Sequence, residues 1–292
     1  MGLRLKFFLT ALVGLLIGLS IQLFDRANCQ NRVVESSYIP QEESSPPSPH
    51  ANSPFFSEEQ LRQKAKSITV KVLSGQNSGS GILINKQGEI YTVVTNDHVL
   101  IFGQPNQAYR IQTPDGQIYP ARVVKGVNFN HKDLGLVQFS SQQDYPVVSL
   151  SKSAKSNLGD EVFASGFPFA DDVSQSRGFV FTKGKIEMFS QQPFGGGYQI
   201  GYSNRIQKGM SGGPVFNRQG EIIAINGKHK YPLWGNYLFD DGSTASPEKK
   251  AAMSKLSWAI PIHTFLELAP QFAAAQQATP TPTLSRFKKQ KW

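Results

Sequence analysis

Cysteine occurs once in these 292 residues, at Cys29, so no disulfide closes within the chain and no cysteine-based zinc site forms. The fold must therefore hold by packing alone. No internal repeat is visible, which argues against solenoids and propellers, and no His, Asp or Glu spacing reads as a metal site. His131 beside Asp133 reads as a turn residue, and His50 and His229 as solvent-facing. Long apolar runs are also missing, with one exception at the N-terminus. What the chain does contain is 39% apolar residues, enough for a sizeable core, and a net charge of +9. That excess divides almost evenly between the body (residues 57–270) and the short ends, where Arg286, Lys288, Lys289 and Lys291 cluster. Only Phe287 and Trp292 are interleaved or flank that cluster, so it reads as a solvated tail and not as a nucleic-acid surface.

The one long apolar run, about 18 residues from Phe7 to Phe24, follows Arg4 and Lys6 and is near the minimum that crosses a bilayer core. A positive flank before an apolar run is the pattern of an export signal, either cleaved or kept as a single-span anchor. Residues 1–29 are read this way, which places the remainder outside the cytoplasm, in a periplasmic or other extracytoplasmic space, and gives the chain a membrane contact through residues 7–24. Arg26 stands where a lipoprotein signal needs an aliphatic side chain, which argues against lipidation of Cys29. Residues 30–56, with Ser44-Ser45-Pro46-Pro47-Ser48-Pro49 at their centre, cannot bury enough apolar surface to order and read as a tether. Residues 271–292 read as a disordered basic tail.

Between Ile68 and Ile262 the apolar residues come in short runs of Val, Ile, Phe and Tyr, punctuated by Gly, Asn, Asp and Pro. Eleven runs read as strands: 68–72, 81–84, 90–95, 110–112, 121–125, 134–139, 161–165, 179–186, 198–202, 214–216 and 221–225. Such a pattern is all-β, an antiparallel barrel or sandwich. Two helices flank it, 57–66 with Ser57 as N-cap and Glu58-Glu59 in the first turn, and 263–272.

The segment Lys208-Gly209-Met210-Ser211-Gly212-Gly213-Pro214 sets a lone serine among three glycines just before a strand. A serine hydroxyl is a poor nucleophile without a base. His98, in Thr95-Asn96-Asp97-His98-Val99 at the end of a strand, is the candidate base. An imidazole base needs a carboxylate to hold its tautomer, and Asp133, opening Asp133-Leu134-Gly135-Leu136-Val137, is the candidate. Asp97 is set aside because neighbouring side chains on a strand point opposite ways.

Together, and in the order His, Asp, Ser, these three segments resemble the trypsin-like (chymotrypsin-fold) serine peptidases, above all the bacterial disulfide-free members related to the high-temperature-requirement proteases. The resemblance covers about residues 66–270 and implies two six-stranded antiparallel β-barrels, about 66–150 and 157–262, followed by a C-terminal helix, with the site in the cleft between the barrels. It further implies a serine endopeptidase acting on polypeptide substrates without metal or cofactor. The backbone N–H groups of Gly209 and Ser211 would form the oxyanion hole, and Ala224-Ile225-Asn226 would pair with the substrate. Counting back from Ser211, Arg205 would stand at the floor of the primary pocket and favour acidic side chains. Two departures matter. Met210 replaces the carboxylate that captures a freed N-terminus in animal trypsins, and too few residues follow Pro270 for the PDZ module of the high-temperature-requirement proteases. The rival reading is a catalytically silent two-barrel scaffold that binds peptides.

Overall fold

The structure, a computed structural model, describes residues 55–75, 77–101, 109–169, 178–231 and 237–273. The expected export segment, tether and basic tail, except for Phe55, Phe56 and residues 271–273, fall outside these residues. Among the described residues no helix is long and apolar enough to cross a membrane.

The described chain opens with helix α1 (Glu58–Ile68). The Ser57 hydroxyl accepts the Gln60 N–H (3.2 Å) while the Gln60 side chain accepts the Ser57 N–H (2.8 Å), so the first orphan donors of the helix are paired reciprocally. Leu61, Ala65 and Ile68, spaced at helical period, are its buried face.

Six strands follow: β1 (Thr69–Ser74), β2 (Asn77–Gln87), β3 (Ile90–Thr95), β4 (Tyr109–Gln112), β5 (Ile118–Val123) and β6 (Gly135–Ser140), with a single helical turn, α2 (Asp97–Leu100), after β3. They close into a barrel in the order β1-β2-β3-β6-β5-β4. A second set, β7 (Glu161–Gly166), β8 (Val180–Phe194), β9 (Tyr198–Tyr202), β10 (Pro214–Phe216), β11 (Ile222–Lys228) and β12 (Ser257–Pro261), closes in the order β7-β8-β9-β12-β11-β10. The second order is the first shifted by six strands. The chain thus repeats a topology although its residues show no repeat, because a barrel asks only for period-two burial and turns, which many sequences satisfy. The two expected barrels are present.

Three elements escaped the sequence reading, the turn α2 among them. Strand β12 runs straight into helix α4 (Ile262–Leu268), with Pro261 both its last residue and the N-cap of the helix. Before it lies helix α3 (Pro247–Ser254), whose N-cap Ser246 accepts the Lys249 N–H (3.3 Å).

The largest apolar cluster lies inside neither barrel. It is a seam, assembled from Ile82, Ile84, Val94 and Leu136 of the first barrel, Phe163, Ile225, Trp258 and Ile260 of the second, and the buried faces of α1 and α4. Neighbours on the same strands point the other way. Leu83, Val93 and Val137 fill the first barrel, and Ala224 and Ala259 fill the second. Strands at the seam are therefore buried on both faces and read as continuous apolar runs, whereas β5 alternates. Fully burying each large seam side chain contributes about 1.5–3 kcal/mol, which is how a chain without disulfides holds two barrels together.

Candidate active site

Strand pairing brings the first two candidate residues together. β3 and β6 run in register from Ile90 opposite Ser140 to Thr95 opposite Gly135. Asp133 lies two residues before Gly135 and His98 three after Thr95, so both leave the barrel at the same rim. Thr95 ends the strand, Asn96 is the N-cap and Asp97 opens α2, so the chain is already helical at His98. The separation of Asp97 from His98 therefore comes from a helical turn and not from strand alternation. Asp97 is exposed, whereas Asp133 receives the histidine.

The Asp133 carboxylate is gripped from several sides. His98 Nδ1 lies 2.6 Å from Oδ2, and the His98 backbone N–H donates to Oδ1 (2.9 Å). The Tyr198 hydroxyl, from β9 of the other barrel, donates to Oδ2. The backbone of Asp133 is tied as well, its N–H to the Gly196 carbonyl (2.8 Å) and its carbonyl to the Asn96 side chain (2.8 Å). Burial pushes the Asp133 carboxyl up. The hydrogen bond and charge of His98, with the Tyr198 hydroxyl, outweigh that and hold it below the usual carboxylate range. Burial first, and the Asp133 charge next, raise the Tyr198 phenol well above its usual value, so it remains a donor. His131 is an exposed turn residue at φ 61°.

Ser211 arrives on the connection between β9 and β10. Gly209 has φ +92°, and a Cβ there would come within 2.6 Å of the Phe167 carbonyl oxygen and 2.7 Å of the Phe169 nitrogen. Gly212 has φ +87°, and a Cβ there would strike the Ser80 carbonyl and the Thr95 hydroxyl. Glycines beside a serine let the backbone turn sharply and let a substrate approach closely. In the structure, much of the crowding comes from the protein's own backbone.

Two carbonyls set the direction of the neighbouring N–H groups. The Lys208 carbonyl accepts the Phe169 N–H (2.8 Å) and the Met210 carbonyl accepts the Gly213 N–H (3.1 Å). Across a trans peptide, C=O and N–H point opposite ways, so the Gly209 and Ser211 N–H groups are turned away from these partners. Neither N–H has a hydrogen-bond acceptor among the described residues. The Ser211 hydroxyl donates to the Gly227 carbonyl (3.1 Å). Met210 is wholly buried in the core of the second barrel, an apolar filler where an ion pair would need a carboxylate.

His98, Asp133, Gly209 and Ser211 line one cleft of about 460 Å³. Its remaining wall includes Phe169, Tyr198, Lys208, Gly227, Lys228 and His229. Ala224, Ile225 and Asn226 are set back from it. All three are buried and pair with β10 or the Ser211 loop on one side and β12 on the other. The register slips between Asn226 and Lys228, and beyond that bulge the strand faces the cleft with Gly227, Lys228 and His229. Arg205 is exposed and does not line the cleft. His229, expected in solvent, is half-buried at the cleft wall with Nδ1 donating to the Lys230 carbonyl (2.8 Å). The Lys228 ammonium lies 4.8 Å from the centre of the Tyr198 ring. Burial lowers its pKa and the Asp133 charge partly restores it. A further cavity of about 420 Å³, on the second barrel, is lined by Lys155, Asn157, Phe189, Gln199 and His263 and contains none of the three candidate residues.

Sequence reasoning missed Tyr198, Gly227 and Ser80. Tyr198 follows three glycines, a signal for a tight turn but not for a partner of Asp133.

The trypsin-like peptidase domain family matches residues 79–225, half of the chain and the stretch that contains His98, Asp133 and Ser211. The chain belongs to this family. A probable periplasmic serine endoprotease, DegP-like, of Hahella chejuensis is 32% identical over 152 residues, 52% of this chain and 29% of that protein. The DegP-like relative of Ectopseudomonas mendocina is 28% identical over 225 residues, 77% of this chain and 41% of its own. Serine protease HTRA4 of Mus musculus is 30% identical over 161 residues, 51% of this chain and 29% of that one. The chain thus spans well under half the length of these relatives. In fold it is similar to the serine endoprotease of Yersinia pestis, with TM-score 0.55 and 20% identity over 74% of this chain and 66% of the other.

Proposed function

We propose that this protein is a serine endopeptidase in which Ser211 is the nucleophile, His98 the general base and then acid, and Asp133 the orienting carboxylate. One observation carries the reading: an imidazole bonded to a half-buried carboxylate shares a cleft with a serine flanked by two N–H groups that lack acceptors among the described residues.

In the resting state the Ser211 hydroxyl is bonded to the Gly227 carbonyl. A substrate strand laid along residues 227–229 competes for that carbonyl with its own N–H, by addition to a sheet edge, and frees the hydroxyl for His98 Nε2. Ser211 Oγ then attacks the scissile carbonyl carbon as its proton passes to His98. The oxyanion is received by the N–H groups of Gly209 and Ser211, each such donor contributing ~10²–10³-fold in rate. Collapse breaks the C–N bond, and the amine leaves with the proton from His98. Water, deprotonated by the same imidazole, hydrolyses the acyl ester and restores Ser211. Asp133 remains ionised throughout, holding Nδ1 as the donor and stabilising the imidazolium.

Preference at the cleft follows its charge. With Arg205 elsewhere, Lys208 and Lys228 supply the positive charge, and Asp133 is already engaged by His98. Peptides with acidic side chains near the scissile bond are the favoured substrates. The bacterial relatives are named as probable periplasmic enzymes and residues 1–29 carry an export pattern; both support a peptidase that works outside the cytoplasm, with residues 30–56 as its tether and residues 7–24 as signal or anchor.

Labelling with a fluorophosphonate tests the reading. The full chain is expected to take up one label at Ser211. A properly folded chain that is not labelled and does not cut casein would leave the peptide-binding scaffold as the better account.

A further inference from the structure

Ser80 belongs to the first barrel, on β2, yet it is bonded to the loop of Ser211. It is wholly buried. Its hydroxyl donates to the Gly209 carbonyl (2.8 Å) and accepts the Phe167 N–H (2.8 Å). Its N–H donates to the Ser211 carbonyl (2.7 Å), and its carbonyl accepts the Thr95 hydroxyl (2.7 Å). One side chain and one peptide group thus hold two carbonyls of the nucleophile loop and one N–H of the Phe167–Phe169 segment.

Those tethers alternate with the two groups that the chemistry needs. The Gly209 and Ser211 carbonyls point to Ser80, and between and before them lie the Gly209 and Ser211 N–H groups that face no acceptor among the described residues. The Phe167 bond acts one step further out. It seats the segment whose Phe169 N–H holds the Lys208 carbonyl, and that carbonyl sets the direction of the Gly209 N–H. A loop with glycines at 209 and 212 has little rigidity of its own. Its orientation must come from outside, and the buried hydroxyl of the other barrel supplies it.

We infer that Ser80 is a positioning residue for the oxyanion hole, a hydroxyl that holds the Gly209–Met210 peptide directly and the Phe167–Phe169 segment beside it, and through both fixes the Lys208–Gly209 peptide with its N–H toward the cleft. This rests on the reading of Gly209 and Ser211 as oxyanion donors. Without the hydroxyl, the Gly209 carbonyl and the Phe167 N–H lose their partner in a buried place, and the peptide before Gly209 keeps only the Phe169 N–H, on a segment that has lost its own seat.

The test is Ser80→Ala in the full chain, assayed on a peptide substrate and with a peptidyl boronic acid that forms a tetrahedral adduct. The expected result is a fall in kcat of ~10–100-fold, short of or equal to the loss of a whole donor, with KM changed by less than about threefold. Affinity for the boronate should fall in parallel with kcat/KM. Ser80→Cys keeps a weaker donor and acceptor and should recover part of the loss, and it carries the test if the alanine variant does not fold. Unchanged kcat in a folded variant overturns the inference. So does a lowered melting temperature with unchanged boronate affinity, since a merely structural role would give that. An unmodified chain that takes up no fluorophosphonate overturns the peptidase reading itself, which is distinguishable from failure at Ser80 alone.

Discussion

The connection after the third strand of the first barrel carries His98, and the connection after the third strand of the second barrel carries Ser211. Equal places in one repeated topology have taken up unlike chemistry, and their local structures differ accordingly. The first connection opens with a helical turn, and its histidine is oriented by a hydrogen-bonded carboxylate that stands just before the neighbouring strand. The second is a glycine loop of unusual backbone conformation, held by groups that come from elsewhere. The holding is reciprocal. Tyr198 and Gly196 of the second barrel steady Asp133 of the first, and Ser80 of the first steadies the Ser211 loop of the second. A cleft between two rigid barrels can thus be preorganised without a disulfide, because each half is fixed by the other.

The sharpest way to break this picture is to remove one member from each barrel. Ser211→Ala or His98→Ala alone should lower kcat on a casein-like substrate by ~10⁴-fold or more, and the double variant should lose no more than either single one. Additive losses would mean that the two connections do not act as a unit. Gly209→Ala places a Cβ where Phe167 and Phe169 stand and imposes a positive φ on an L-residue. Turnover should fall by ~10²-fold or more, as for a lost oxyanion donor, while peptide binding measured by fluorescence anisotropy persists.

Tyr198→Phe tests the opposite tie and should cost about tenfold or less in kcat, since His98 still holds the carboxylate. It also has a signature in acid. The folded Asp133 carboxyl lies below its usual value of about 3.9, so its contribution to stability is complete above that value and is lost as pH falls through the lower folded one. Removing the phenol raises the folded pKa, and the acid-unfolding midpoint of the variant should move to higher pH, read by circular dichroism. An unmoved midpoint would remove Tyr198 from the account of Asp133. Lys208→Glu should lower kcat/KM for peptides with acidic side chains several-fold, an effect that shrinks as salt screens it. The smallest effect belongs to Arg205→Ala, which should change the ranking of peptides by less than about twofold because Arg205 lies off the cleft.

These residues also mark how much was legible beforehand. His98, Asp133 and Ser211 stand in short segments whose strand ends, turns and glycines are local requirements, and local requirements leave local marks. The helix capped by Ser57 and eleven of the strands were readable for the same reason. Strand β12 was not: Pro261 ends it and caps α4 at once, so no stretch of turn residues separates strand from helix. That Gly227, Lys228 and His229 line the cleft while Ala224-Ile225-Asn226 are set back from it was not legible, because a bulge at Gly227 decides which residues reach the cleft, and a bulge is a property of pairing between strands.

By itself the sequence determined that this protein would be built of short, densely packed strands without disulfide support, and that a serine, a histidine and an aspartate stood where strands end. It could do so because period-two burial, turn glycines and capping are decided by residues close together in the chain. Only the tertiary structure decided that the strand order repeats, that residues 227–229 face the cleft, that Tyr198 grips Asp133 across 65 positions and that Ser80 reaches Gly209 across 129. A buried serine and a tyrosine after a glycine turn carry no mark of such roles, since what each does is set by the partner that folding brings to it.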